Sequence, residues 1–422
     1  VADHARSDDP AVQTQLDRFA QLSPGRDILG LERITALLDL LGNPHHRLPP
    51  VFHVAGTNGK GSTCAFLRAA LEAAGRTVHV YTSPHLVRFN ERIRVAGKLI
   101  DDITLAPLLA EVLDVAEAHA IGPSFFEATT AAAFLAFSRT PADACVIEVG
   151  LGGRLDATNV VTPVVCGIAQ VGIDHQAFLG DTLLEIGREK AGIAKLGVPV
   201  MIIDQDDDAL DRELAEAVIG RGATAYPAFR RWFYGTAHNR LQYRDELGAL
   251  MTPLPAMSGC HQIRNAALAI AMIRHQSAVD IPLAAIKRGV AEAHWPARLQ
   301  RLAVGPLTET WDIWIDGAHN AAAAEVLALE LAQQPMHLII GILANKDADA
   351  ILAALAPHAL SLTFLAVPGH DSHDPAELAG RWGGRVAQSL EEALAARTAP
   401  TMVVGSLYLC GEVLRLNEQL PD

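Results

Sequence analysis

No run of lysine or arginine interrupts this 422-residue chain, and its 48 acidic residues outnumber 34 basic ones, leaving a formal net charge of −14. That balance argues against nucleic acid or an anionic membrane surface as the main partner, although a locally positive loop on an acidic protein still suits a small anion. No apolar run approaches membrane-spanning length. The first residues, VADHARSDDPAVQ, are too polar and acidic for a secretory signal, so a soluble, cytoplasmic protein is expected. Cysteine is scarce: Cys64, Cys145, Cys166, Cys260 and Cys410 are scattered, with no CxxC pair. An odd, dispersed set lying mostly in apolar stretches suggests reduced thiols. Aromatic residues make up only 5% of the chain. Trp232, Trp311 and Trp314 form no stripe that would serve a cofactor, so core or interface positions are expected for them.

Half of the composition is hydrophobic, which makes the chain globular, and its length suits two or three domains. Its organising stretch is VFHVAGTNGKGSTCAFLRAA, residues 51–70. Val51–Ala55 reads as a buried strand. Gly56, Thr57, Asn58, Gly59, Lys60, Gly61 and Ser62 follow it, and then Cys64, Leu67, Ala70, Leu71 and Ala74 recur at helical spacing up to a stop at Gly75. Strand, glycine-rich loop, lysine and helix together cradle a polyphosphate: backbone N–H groups converge on anionic oxygens, and the helix N-terminus adds partial positive charge. Lys60 would reach the terminal phosphates, and Ser62 or Thr63 would hold a magnesium ion. The general P-loop formula is not met, because Val54 stands where it wants glycine and Gly61 where it wants a hydroxyl residue.

Residues 1–12 read as a fraying lead, followed by helices over Leu16–Leu22 and Gly30–Leu41. After the phosphate loop and its helix come a strand at Thr77–Tyr81, a charged and exposed loop or edge at Val87–Val95, and helices over Thr104–Ala120 and Ser124–Ser138. Strands Ala144–Val149, Val164–Val171 and Val198–Ile203 enclose a helix over Asp181–Lys195. This alternation predicts an α/β fold with a parallel sheet covered on both faces. Residues 204–258 resist placement beyond a helix near Ala209–Ile219 and some short strands. The helix His261–Arg274 is clear. A second, smaller α/β domain is expected beyond a linker near residues 295–300, giving domains 1–296 and 297–422. Its strands fall at Asp312–Ile315, His337–Ile342, Leu362–Val367 and Thr401–Val404. Open parallel sheets bind ligands beyond the carboxyl ends of their strands, and the polar clusters fall there repeatedly, which suggests a shared cleft.

Ser83, Glu148 and His175 each sit at such a strand end, where they would converge near the Lys60 loop and bind a metal. Magnesium favours oxygen ligands and retains waters, so Glu148 and Ser83 suit it better than His175. The loop Gly150–Gly153, with Arg154 and Asp156, is a second place for close backbone approach to a ligand. Taken on its residues alone, Lys190 reads as a surface lysine paired with Glu189 or Glu185. In the second domain Asp316-Gly317-Ala318-His319-Asn320, Asn345-Lys346-Asp347 and Gly405-Ser406 occupy equivalent strand-to-helix loops.

Together the motifs GTNGKGS (56–62), SPHL (83–86), ERIRV (91–95), FEATT (126–130), EVGLGGRLDATN (148–159), DH (174–175), GREKAGI (187–193), HQIRNA (261–266), ARLQ (297–300), DGAHN (316–320) and NKD (345–347) span nearly the whole chain in one order. So arranged, the chain resembles the Mur ligase family, and within it the bacterial dihydrofolate synthase/folylpolyglutamate synthase branch. The resemblance implies a P-loop-type doubly wound domain followed by a Rossmann-like one. It also implies ATP-dependent amide ligation, in which a carboxylate is phosphorylated and the amine of L-glutamate attacks the acyl phosphate. The acceptor acids implied are dihydropteroate and reduced folates, and the cofactors are ATP and two magnesium ions. The first metal matches Ser83, Glu148 and His175. Lys190 matches a lysine that the family carbamylates and uses for the second, which displaces the surface reading. His261, Asn265, Arg298 and Asp316 match nucleotide-contacting positions, and His319 and Ser406 match positions linked to the incoming glutamate. Phe126 and Asp156, with Ser124 nearby, match a pterin-binding wall. Lys60, Lys190 and His319 thereby stand as the candidate catalytic residues.

Three positions depart from the pattern: Ala297 stands where glycine is usual, Ala321 where proline often follows DGAHN, and Asn345 where aspartate is common. None removes a charged catalytic group. A peptidoglycan Mur ligase would need an N-terminal sugar-nucleotide domain, for which the fifty residues before Val51 leave too little room. A regulatory ATP-binding protein would need the Lys60 loop but not Glu148, Lys190 or DGAHN. Family precedent and the lack of heptads favour a monomer.

Overall fold

Strand β1 (Val51–Ala55) is buried at every position, as an apolar run must be in a parallel sheet with helices on both faces. A computed structural model describes residues 5–22, 29–308, 312–395 and 399–421; Trp311 lies outside them. The chain forms two compact units. The first runs to His294 apart from Met257–His261, which go with the second unit from Trp295 onward.

In the first unit β1 is followed by β2 (Val78–Tyr81), β3 (Ile93–Val95), β4 (Lys98–Leu99), β5 (Ala144–Glu148), β6 (Val165–Ile168), β7 (Pro199–Ile202) and β8 (Thr224–Pro227). They form one sheet in the order β4-β3-β2-β5-β1-β6-β7-β8. Only β3 and β4 run antiparallel to their neighbours. The chain leaves β1 in one direction to reach β2 and later crosses to β6 on the other side, so β1 lies at the topological switch point, where open α/β sheets bind ligands. Val54 lies level with Glu148 of β5 and Gly167 of β6. The loops after these three strands therefore leave the sheet at the same edge.

Side chains fix the starts of the two helices between β4 and β5. Asp101 caps Asp102–Ala118, and Ser124 with Glu127 forms a reciprocal capping box on Phe125–Arg139. These helices bury Leu109, Leu113 and Phe134 against Ile147 in one core. The segment 176–191 is two helices, Gln176–Leu179 and Leu183–Ala191, because Gly180 (φ +102°) breaks the run and Thr182 with Glu185 starts a fresh capping box. The amino-terminal lead is helical already from Pro10, through Leu22.

The expectation of an exposed 87–95 segment is overturned. Phe89, Asn90, Arg92, Ile93 and Arg94 are buried. Arg92 Nε donates to His85 Nδ1 at 2.8 Å, and its guanidinium lies 5.8 and 5.5 Å from the ring centroids of Phe89 and Phe125. Glu91 accepts the N–H groups of Leu86, Val87 and Arg88 at 2.7, 2.9 and 2.6 Å. Charge there is spent on holding the turn that carries Ser83.

Residues 204–258 hold the helix Asp208–Gly220, strand β8 and a separate antiparallel sheet of β9 (Phe233–Ala237), β10 (Arg240–Asp245) and β11 (Gly248–Pro253). Alternate residues of β10 are buried, ending in Asp245. Its carboxylate, with no exposed side-chain surface, lies 2.6 Å from Arg274 Nη2 and 3.2 Å from His275 Nε2. Breaking a buried pair strands its partner's charge. Asp245→Ala is therefore expected to lower unfolding free energy by about 3–5 kcal/mol, measured by urea denaturation; a change within about 0.5 kcal/mol, typical of surface sites, would contradict this.

The second unit contains β12 (Gln300–Arg301), β13 (Ile313–Asp316), β14 (His337–Ile340), β15 (Ser361–Phe364), β16 (Arg385–Val386) and β17 (Thr401–Val404), ordered β12-β13-β17-β14-β15-β16. All but β12 are parallel. Leu338, Ile340, Ile351, Leu352, Phe364 and Val404 fill its core. Among the described residues no helix is long and apolar enough to cross a membrane. All five cysteines are free, and four are buried.

Candidate functional site

Two glycines shape the loop after β1. Gly59 has φ +85° and begins the helix Lys60–Ala73. A Cβ there would lie 2.3 Å from Asn265 Oδ1, so the helix His261–Arg274 packs directly on the loop through Asn265. Gly56 would set a Cβ 2.8 Å from that of Ala169. The N–H groups of Thr57 and Asn58 both donate to the Gln170 carbonyl, at 2.7 and 3.1 Å. Thr57 Oγ1 donates to the Gly172 carbonyl at 3.0 Å and accepts from its N–H at 2.9 Å. The loop is thus stapled to the one after β6. Donors for an anion come instead from the helix's first turn, Lys60, Gly61 and Ser62, whose N–H groups lack intrahelical acceptors and have no side-chain cap.

The side chains of this turn divide their work. Lys60 Nζ donates to the carbonyls of Gly56 and Thr57 at 3.1 and 3.2 Å. Thr63 Oγ1 donates to the Gly59 carbonyl at 2.9 Å. Ser62 is 1% exposed, and its Oγ has no hydrogen-bond partner. Of the two hydroxyls, Ser62 is therefore the one poised for a cation or phosphate oxygen.

Lys190 is not a surface lysine. It is 3% exposed, and its Nζ donates to the Gly56 carbonyl at 3.0 Å, the same oxygen that Lys60 engages. Glu189 pairs instead with Arg154, and Glu185 caps its own helix. Burial, and then the neighbouring charge of Lys60, pull the Lys190 ammonium from 10.5 down to about 7, against the opposing pull of Asp174 and Asp156. Near neutral pH a substantial share is the free amine. The helix end that carries Lys190 is locked in place: a Cβ on Gly153 would lie 2.6 Å from the Glu189 carbonyl oxygen, and one on Gly192 would lie 2.5 Å from Arg154 Cα.

Ser83 and Glu148 come together, the Ser83 N–H donating to Glu148 Oε2 at 3.3 Å. Glu148 is buried. His175, at φ +54°, stands on the loop after β6 with a half-exposed ring 3.9 Å from Asp174 Oδ1. Among the described residues no three His, Cys, Asp or Glu side chains cluster tightly enough to hold a metal ion by themselves. A hydroxyl, one carboxylate and retained waters suit magnesium, which dehydrates reluctantly.

Phe126 projects from the first turn of its helix, and its ring covers Gly150, where a Cβ would lie 2.3 Å from Cζ. Asp156 is 2% exposed and caps the turn Ala157–Val160. Its carboxylate accepts from the N–H groups of Leu151 and Thr158 at 2.8 and 2.9 Å, and from the Thr158 hydroxyl. Burial pushes its acid up, while these bonds draw it down. Ser124 is buried in its capping box.

In the second unit Asp316 ends β13, and its oxygens accept from the N–H groups of Leu299 and Ala318 at 2.7 and 2.8 Å. Arg298 lies on the same turn, its Nη1 donating to the Ala297 carbonyl at 2.9 Å. Ala297, where glycine is usual, has φ +54°, a conformation that glycine reaches at no steric cost. His319 Nδ1 lies 2.7 Å from the Gly317 carbonyl oxygen and so must carry its proton there. Ala321 occupies the first position of the helix Ala321–Gln333, where proline would fit but is not required. Ser406, buried, caps the helix Leu407–Leu416 through Tyr408 N at 3.2 Å.

Sequence reasoning missed the Thr57–Gly172 staple and a buried pairing of His53 with Thr158, whose Nε2 and Oγ1 lie 2.9 Å apart. The one signal for the latter was a histidine inside an otherwise apolar strand.

No protein-family model matches the chain. The chain is 37% identical over 406 residues to the folylpolyglutamate synthase of Lacticaseibacillus casei, covering 90% of this chain and 92% of that protein. It matches the solved structure of E. coli FolC in complex with DHPP and ADP with a TM-score of 0.87 and 30% identity, over 97% of this chain and 98% of that one. A bifunctional folylpolyglutamate synthase/dihydrofolate synthase solved with Mn, AMPPNP and L-glutamate bound matches with a TM-score of 0.86 and 30% identity, over 96% and 97% of the two chains. With its phosphate loop, buried lysine and strand-end carboxylate in this order, the chain belongs to the folylpolyglutamate synthase/dihydrofolate synthase family of ligases.

Proposed function

We propose that the protein is an ATP-dependent ligase that joins L-glutamate to dihydropteroate, giving dihydrofolate, and to reduced folates, giving folylpolyglutamates, through an acyl phosphate. The observation that carries this reading is the convergence of Lys60 and Lys190 on one carbonyl oxygen, that of Gly56, beside the unpartnered Ser62 hydroxyl. Lys60 and the helix N-terminus supply positive charge for a polyphosphate, while Lys190, drawn toward its neutral amine at the same carbonyl, has the form that carbamylation requires.

In this reading residues 1–296 bind ATP through Gly56–Ser62, His261 and Asn265, and residues 297–422 add Arg298 and Asp316. Ser83, Glu148 and His175 hold one magnesium ion, and Lys190, as its carbamate, holds a second. When bound, the ions neutralise charge on the transferring phosphoryl group. The residues of the chain position and orient. Lys60 draws the terminal phosphate toward the acid, the ring of Phe126 offers a face for a flat heterocycle, and Asp156 directs its polar edge. His319 and Ser406 receive the glutamate. His319 carries its proton on Nδ1, toward the Gly317 carbonyl. The protein works as a cytoplasmic monomer.

The test is phosphate release from ATP with magnesium and L-glutamate, using dihydropteroate or tetrahydrofolate as acceptor. Release is expected with both, and only when acid and amine are present together. Release with tetrahydrofolate alone leaves a folylpolyglutamate synthase and removes the pterin role of Phe126 and Asp156. Release without either substrate points to a regulatory ATPase.

A further inference from the structure

We propose that His53 and Thr158 are positioning residues for recognition of the pterin-bearing acid, holding the Asp156 carboxylate in one orientation through a buried chain of hydrogen bonds that begins on β1. The inference rests on the ligase reading above and extends it to two residues beneath the site.

The proton count fixes the direction of the chain. Asp156 is met by donors, the backbone N–H groups of Leu151 and Thr158 and the Thr158 hydroxyl, with the Gly150 backbone also drawing its acid down, so the carboxylate is the acceptor. Thr158 has one hydroxyl proton, which is committed to Asp156. At 2.9 Å from His53 Nε2, Thr158 Oγ1 must then accept, and His53 carries its proton on Nε2. Burial pulls the imidazole down to about 3, so the ring stays neutral with that single proton. His53 Nδ1 is left buried with no partner. Leaving a buried acceptor unpaired is costly, and a valine or isoleucine at this place in β1 would avoid it. The histidine is compensated only through what its other nitrogen does, which is to aim the Thr158 hydroxyl at Asp156.

What Asp156 fixes is the first turn of the loop after β5. It holds Leu151 N–H at 2.8 Å, next to Gly150, on which the Phe126 ring lies. A carboxylate free to turn would loosen both its own polar edge and the seat of that ring. The nucleotide loop is anchored elsewhere, through Gln170 and Gly172. The effect should therefore fall on the acid substrate and spare ATP.

Thr158→Val in the full-length enzyme keeps the side-chain shape and removes the hydroxyl. The KM for dihydropteroate is expected to rise about tenfold, with the KM for ATP and kcat changed by less than about twofold. Thr158→Ser, which restores the hydroxyl, should return KM to within about twofold of wild type. His53→Leu, which leaves the Thr158–Asp156 bond in place, should give a smaller rise of about threefold, and this variant carries the test if Thr158→Val does not fold. An unchanged KM for dihydropteroate, a parallel rise in the KM for ATP, or failure of Thr158→Ser to rescue would each overturn the assignment. Wild-type turnover run alongside reports on the ligase reading itself, because its absence removes that reading, whereas the ratio of variant to wild type reports on His53 and Thr158.

Discussion

Lys60→Ala is expected to lower ATP-dependent glutamate ligation by about 10³-fold or more in kcat, with the fold retained. The ammonium is held over the loop by the Gly56 and Thr57 carbonyls, 3.1 and 3.2 Å away, so it waits at the mouth of the helix N-terminus. Phosphoryl transfer asks little of a protein beyond position and charge, and removing a preorganised cation forfeits both. The side chain is only partly buried at the start of its helix, so truncation leaves no large cavity, and the thermal midpoint should move little. Phosphate release under saturating ATP, dihydropteroate and glutamate checks the prediction; turnover near the wild-type rate would remove Lys60 from the reaction. The variant also has an indirect signature. Because the Lys60 charge helps depress Lys190, its loss should raise the pKa of Lys190.

Lys190→Ala should be nearly as severe, lowering kcat by roughly 10²- to 10³-fold. It should be partly rescued by short-chain carboxylic acids, which return an anionic oxygen donor to the space the lysine vacates. An active variant would return Lys190 to a purely structural role. A pH measurement isolates the buried amine. In the unfolded chain a lysine titrates near 10.5, while in the folded protein Lys190 titrates near 7. Between these values the unfolded state binds the extra proton, so stability should rise with pH from about 7 to about 10.5, by at most about 1.4 kcal/mol per unit. Below about pH 7 the full penalty of a charged, buried amine is already present. Urea denaturation of wild type against Lys190→Ala across this range should show the slope in the wild type and its loss in the variant; equal slopes would mean that the amine is not held neutral by the fold.

The parts of this protein that could be read from its residues are those governed by local rules. Val51–Ala55, the glycines after it and the helical spacing from Cys64 onward name their own conformations, and the alternation of strands and helices gives the parallel sheets. Other features depend on partners remote in sequence. Lys190 sits among glutamates at pairing distance along its helix, and nothing local reveals that it points inward to Gly56. Arg92 and Arg94 read as exposed because charge usually is; burial is tolerated here because His85 and the Phe89 and Phe125 rings receive Arg92, while the Gly97 carbonyl accepts from Arg94 at 2.9 Å. The short strands expected within 204–258 could not be assembled into the sheet of β9 to β11, because their pairing is set between segments and the buried charge, Asp245, looks like a surface residue until Arg274 is brought to it. The choice of Ser62 over Thr63 required knowing which hydroxyl the helix itself consumes.

The interlock of Gly153 with Glu189 and Lys190, and of Gly192 with Arg154, bears on how this enzyme can change. The obstacles are the Glu189 carbonyl oxygen, 2.6 Å from the absent Cβ of Gly153, and the Cβ and Cα of Arg154, 2.3 and 2.5 Å from that of Gly192, and no rotamer change moves any of them. A substitution at either position moves the end of the Lys190 helix as a body and takes the amine away from the phosphate loop. The two positions therefore offer no graded path: randomised libraries at 153 and 192 should return glycine almost alone among active clones, while the neighbouring exposed Arg154 drifts freely.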